Sequence, residues 1–144
     1  MRTCEVTPTP STGDTATIED GVFSHGRAVA ADGNAQPLAC LMREGDELIA
    51  GALGRTEYGR LFIHSVWVAE SYRGAGIGSE TIVRMEQEAL GRGCSDALIE
   101  TLLDRNARLY ERLGYESIAV IPRYVGTFTR YIMVKTLQSS TGGY

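Results

Sequence analysis

The stretch Leu61–Arg92 constrains the fold more than any other part of the chain. Leu61–Ala69 (LFIHSVWVA) is β-branched, aromatic and nearly free of charge, the composition of a strand near the centre of a sheet. It runs into the glycine loop Arg73-Gly74-Ala75-Gly76-Ile77-Gly78. Gly78–Arg92 then repeats Ile82, Met85, Ala89 and Leu90 at helical spacing, with Glu80, Arg84 and Glu88 on other faces. Strand, tight loop and amphipathic helix in succession predict a crossover unit, with parallel pairing to the strand that follows.

The flanking patterns complete a mixed sheet. Thr3–Thr7 reads as a first strand, and Thr15–Ala30 as a weak helix interrupted by Gly21 and Gly26. Pro37–Arg43 and Glu47–Arg55 are apolar strands joined at Glu44-Gly45-Asp46, a hairpin signal. Asp96–Thr101 is a further buried strand, and Asn106–Leu113 a short helix stopped by Gly114. Glu116–Ile121 and Phe128–Leu137 close the chain as strands linked by a loop over Pro122–Thr127. The fold class expected is α/β, or α+β: a central mixed sheet flanked by helices. Residues 1–138 form one domain, with a flexible tail at Ser139–Tyr144 (SSTGGY).

Composition narrows the partners. A chain of 144 residues can bury a hydrophobic core unaided. It has a net charge of −4, only one lysine (Lys135) and no long Lys/Arg cluster, so nucleic acid is not an expected partner. No apolar run is long enough to span a membrane, and the N-terminus lacks a signal core. Cys4, Cys40 and Cys94 are widely spaced, form no CxxC pair and are joined by only two histidines, which argues against a metal site and for idle thiols in a reduced, cytoplasmic protein.

Closely spaced glycines let backbone amides face a ligand, and a helix start adds a favourable dipole, so the loop reads as a phosphate site. Ser79 adds a hydroxyl in the first turn. A P-loop needs a lysine next to the last glycine, and Lys135 is remote. Dinucleotide loops are spaced G-x-G-x-x-G, whereas Gly74, Gly76 and Gly78 are spaced G-x-G-x-G.

Arg73-x-x-Gly76-x-Gly78, preceded by Val66-x-Val68, resembles the acetyl-CoA signature of the GNAT superfamily of N-acetyltransferases. Downstream, Asn106 to Tyr115 (NARLYERLGY) resembles that family's N-x-x-x-x-Y-x-x-x-G-[FY] pattern. Helical spacing places Asn106 and Tyr110 on one face, with Leu109 and Leu113 anchoring the helix beside them. The resemblance implies a GNAT-like acyl-CoA N-acyltransferase fold using acetyl-CoA as co-substrate, with no metal, and often a homodimer. It implies that Arg73, Gly74, Ala75, Gly76, Ile77, Gly78 and Ser79 cradle the CoA pyrophosphate, that Asn106 contacts CoA, and that backbone groups of Val66 and Val68 hold the acetyl and pantetheine. The Val66 amide would stabilise the oxyanion, and Tyr110 would protonate the leaving thiolate.

The activity implied is acetyl transfer to a primary amine of a small molecule, by direct attack through a tetrahedral intermediate. The alternatives are an acyl-CoA-sensing module without chemistry, or acetylation of a protein amine. His64, two residues before Val66, shares a face with Val66 and Val68 if the strand is regular, and is a candidate base beside water and Glu57. Glu100 and Asp104 are further carboxylates, with edge exposure sufficient for the first and helix capping for the second, and His25 is read as a surface residue. By family analogy the Pro122–Thr127 loop, with Arg123, Tyr124 and Phe128, lines the acceptor side.

Overall fold

The structure, a computed structural model, describes residues 1–29 and 34–138, so the tail expected over 139–144 lies outside the described residues. The chain divides into two compact units, Met1–Gly33 and Asn34–Tyr144. In the first, α1 (Thr12–Val29) runs unbroken through Gly21 and Gly26, begun by Ser11, whose Oγ accepts the Asp14 amide at 3.0 Å. Thr3–Thr7 is not a strand, since this five-residue segment has no ladder partner.

The second unit holds a six-stranded sheet in the order β1-β2-β3-β4-β6-β5. Its strands are β1 (Gln36–Glu44), β2 (Glu47–Glu57), β3 (Arg60–Val68), β4 (Asp96–Thr101), β5 (Glu116–Val125) and β6 (Phe128–Thr136). The first hairpin turns at Gly45–Asp46 as its sequence signal requires. The second turns at Tyr58 and Gly59, both with positive φ (56° and 71°), the backbone of the tight hairpin turn that matches strand twist. Among the described residues β3 and β4 are the one parallel pair, joined by α2 (Ile77–Gly91), and the other pairings are antiparallel.

Leu61 and Ile63 of β3, Ile99 of β4 and Met133 of β6 meet Ile82, Met85 and Ala89 of α2 in one core. The second helix of this unit, α3 (Asp104–Arg112), starts two residues earlier than its motif and adds Ala107 and Tyr110, with Leu109 and Leu113 packed at the margin. Tyr115 is buried beside them. A bidentate Arg60–Asp96 pair (2.8 and 2.9 Å) ties the start of β3 to the start of β4 and fixes their register. The segment expected as a loop over Pro122–Thr127 is instead strand to Val125, with the turn at Gly126–Thr127. Pro122 gives it the composition of a loop, and a register shift separates Ile121 and Val125, which pair with Arg130 and Phe128 of β6.

Candidate active site

The site begins with an irregularity in β3. Leu53 pairs with Ser65 but Gly54 pairs with Ile63, so His64 is an extra residue that the partner strand does not match. Gly54 makes the bulge possible, because a Cβ there would lie 2.2 Å from the Phe62 carbonyl oxygen. The slip overturns the regular alternation that would put His64 beside Val66 and Val68. Val66 and Val68, paired with the buried Ala52 and Ala50, line a cavity with Gly78 and Ile82, whereas His64 lines a separate one.

The parallel ladder stops at the same point. β3 and β4 pair from Arg60↔Asp96 to Ile63↔Ile99, although β3 continues to Val68 and β4 to Thr101. Two cavities lie where the strands part. The first, about 260 Å³, is lined by Val66, Val68, Arg73, Gly78, Asn106 and Tyr110, together with Trp67, Leu103 and Arg105. Tyr110 is buried, its ring centre 6.2 Å from that of Tyr115, and burial pushes its hydroxyl pKa up, which keeps it a proton donor.

Between β3 and α2 the chain makes one 3-10 turn at Glu70–Tyr72. Arg73 Nε donates to the Val68 carbonyl at 3.0 Å, folding the loop back on β3. Gly74 and Gly76 both have positive φ (84° and 79°), and Gly76 is the residue from which α2 starts. Gly78 sits so near β3 that a Cβ would touch the Val68 side chain at 3.4 Å. Gly74, Ala75 and Gly76 are exposed, and Ile77 and Ser79 are half-buried.

The second cavity, about 610 Å³, shares Leu103 with the first and is lined by Arg55, Phe62, His64, Glu100 and Arg130 among others. Glu100 is its one lining carboxylate, and all three candidate carboxylates are engaged. Glu100 is not an edge residue, since β4 lies between β3 and β6, and it forms an ion pair with Arg130. Glu57 accepts from Arg55 Nε at 3.2 Å. Asp104 does not cap α3; Leu103 holds that position, and the Asp104 carboxylate accepts the Tyr131 hydroxyl at 2.7 Å. His64 is exposed, with Nδ1 3.4 Å from the Ser65 hydroxyl. His25 lies exposed on α1.

No motif in the sequence marks Arg55, Phe62, Leu103, Arg105 or Arg130. Gly54 carried the one available signal, a glycine inside an apolar strand, which marks a bulge or a close backbone approach.

A mixed sheet opened between two parallel strands, with a glycine turn at the start of the crossover helix and a buried tyrosine on the next, defines a class of acyl-transfer fold. Residues 8–115 match the model of the acetyltransferase (GNAT) family, and the chain belongs to that family. It is 36% identical over 95 residues to blasticidin-S acetyltransferase of Streptomyces morookaense, covering 65% of this chain and 70% of that one. It is 32% identical over 102 residues to the acetyltransferase Atu2258 of Agrobacterium fabrum, covering 70% and 74%. An acetyltransferase from Bacillus cereus has the same fold, with a TM-score of 0.84 over 92% of this chain and 98% of that one at 19% identity. The protein is therefore a GNAT acetyltransferase. No helix among its described residues is long and apolar enough to cross a membrane.

Proposed function

We propose that the protein transfers acetyl from acetyl-CoA to a primary amine of a small molecule. The observation that carries this reading is the convergence of Val66, Val68, Arg73, Gly78, Asn106 and Tyr110, drawn from two sequence motifs, on one cavity where β3 and β4 part. The residues present suit the co-substrate. Around Gly74 and Gly76 a Cβ would meet nothing within 4 Å, so an anionic group has room to approach the backbone at the α2 N-terminus. The Streptomyces relative named for blasticidin S supports a small-molecule acceptor.

Acetyl-CoA supplies the activated acyl group as a thioester. The amine, stripped of its proton, attacks the acetyl carbon from the larger cavity, and the Val66 amide faces the oxygen that gains charge. As the carbon–sulfur bond breaks, the Tyr110 hydroxyl gives its proton to the departing thiolate. His64 is assigned as the base, directly or through one water. Glu57, Glu100 and Asp104 already hold partners, while the ring of His64 meets only a neighbouring hydroxyl among the described residues.

The test is thiol release from acetyl-CoA with a panel of small amines and a peptide amine, alongside calorimetric binding of CoA. Turnover on small amines is the result expected. Binding of CoA without turnover on any amine would make the protein a sensing module instead, and turnover confined to the peptide would move the acceptor to protein.

A further inference from the structure

The larger cavity has walls that discriminate among amines. Arg55 on β2 pairs in register with Phe62, which in turn pairs with Leu98, so the three form one row across the sheet. The Arg55 guanidinium lies 4.2 Å over the Phe62 ring, which holds its plane in place. Glu57 contacts it through Nε at 3.2 Å, the side edge of the fork rather than the end between the two terminal nitrogens. This is a half-exposed ion pair with side-chain exposures of 43% and 19%, of the kind that holds little energy. A planar carboxylate can meet the terminal nitrogens end-on without displacing Glu57.

The opposite wall offers no comparable site for a cation. Glu100 is neutralised by Arg130, and Arg130 is itself held 4.9 Å over the Tyr124 ring. An acceptor with a second ammonium would face two guanidinium groups across a cavity whose carboxylate is taken. Like charges at such a site disfavour that ligand.

We propose that this cavity selects acceptor amines that also carry a carboxylate, and that Arg55 is the residue that reads it. The proposal rests on the N-acetyltransferase reading above and names the acceptor class within it. Phe62 lies two residues before His64, which is about 7 Å along a strand. The carboxylate and the reacting amine are therefore separated by a spacer, as in an ω-amino acid, rather than sharing one carbon.

The experiment compares 5-aminopentanoate, its primary amide and pentane-1,5-diamine by kcat/KM for thiol release. Wild-type protein is expected to favour the acid over the amide by about 10- to 100-fold, the range of a hydrogen bond to a charged group, and to use the diamine least. In Arg55→Gln the acid-to-amide ratio falls to near one, through KM for the acid. Arg55→Lys keeps part of the preference, because an ammonium supplies charge without the fork. Thermal melting and CoA binding establish that each variant is folded. A wild-type preference for the diamine, or an unchanged ratio in folded Arg55→Gln, overturns the proposal while leaving the transferase reading intact. Absence of turnover with every amine of the wider panel, in protein that binds CoA, removes both.

Discussion

Glu86 is the most exacting charge in the fold, and removing its partner should cost more than an ordinary ion pair. Its carboxylate lies under α2 with only 8% of the side chain exposed, accepting the Tyr115 hydroxyl on one oxygen and Lys135 Nζ on the other, both at 2.8 Å. Lys135→Met keeps the aliphatic stem but leaves a buried carboxylate held by one neutral donor. Breaking a buried pair costs about 3–5 kcal/mol. The Lys135 side chain is 24% exposed, so water can partly replace it, and about 2–3 kcal/mol is expected. In a domain of this size that lowers Tm by about 8–12 °C. Glu86→Gln removes the charge while keeping a hydrogen-bonding group beside Tyr115, and should cost about 1–2 kcal/mol. In the double variant no charge is stranded, so its loss should fall short of the sum of the singles by about 1 kcal/mol or more. Urea denaturation of the four proteins measures this cycle. Additive losses, or a Lys135→Met variant as stable as wild type, would refute the reasoning.

Burial, and then the facing Glu86 carboxylate, hold the Tyr115 hydroxyl protonated far above its usual range. A folded-state pKa raised in this way gives stability that is full below pH ~10 and is lost as pH rises further, at about 1.4 kcal/mol per unit. Denaturation followed from pH 9 to 11 should reveal that slope, and Tyr115→Phe should flatten it. Tyr110→Phe should lower kcat by about 100-fold and leave the CoA dissociation constant within about twofold, read by turnover and calorimetry. Gly54→Ala and Gly76→Ala should separate fold from function. The first forces a Cβ to 2.2 Å from a backbone oxygen and should cost about 3 kcal/mol or more by chemical denaturation. The second meets open space at a φ of 79°, and should cost about 1–2 kcal/mol while weakening CoA binding in a titration.

The sequence made the regular parts of the fold legible because their patterns are local. The β-branched, aromatic composition of β3, the stripe on α2 and the Gly114 stop after α3 each depend on neighbours within a few residues. Thr3–Thr7 failed because apolar alternation without a partner makes no strand. Pro122 disguised the end of β5, since a bulged edge strand tolerates residues that usually mark a loop. Glu100 and Asp104 were misread for a different reason. Their environments are set by Arg130 and Tyr131, both on β6, and pairings at that separation leave no trace in one sequence. The motif residues Val66, Val68, Arg73, Gly78, Asn106 and Tyr110 do meet at one cavity, whereas the larger cavity, with Arg55, Phe62 and Arg130, follows no motif.

One residue links the two sides. Had β3 been regular, His64, Val66 and Val68 would all have shared the face of Phe62, away from the α2 side that Leu61 and Ile63 occupy, and the ladder to β4 could have continued past Ile63. The extra residue at His64 reverses the alternation, which brings Val66 and Val68 to the α2 side with Leu61 and Ile63 and leaves His64 beside Phe62 at the cavity that holds Arg55 and Glu100. A bulge also bends and twists its strand, and the parallel ladder ends at Ile63↔Ile99, immediately before it. The end of the β3–β4 ladder, the turn of Val66 and Val68 toward α2 and the tight approach at Gly54 thus meet at a single backbone irregularity. Chemistry at this site depends on a defect in the sheet, which is why a side chain at Gly54, far from any reacting atom in the sequence motifs, should damage it as surely as losing Tyr110.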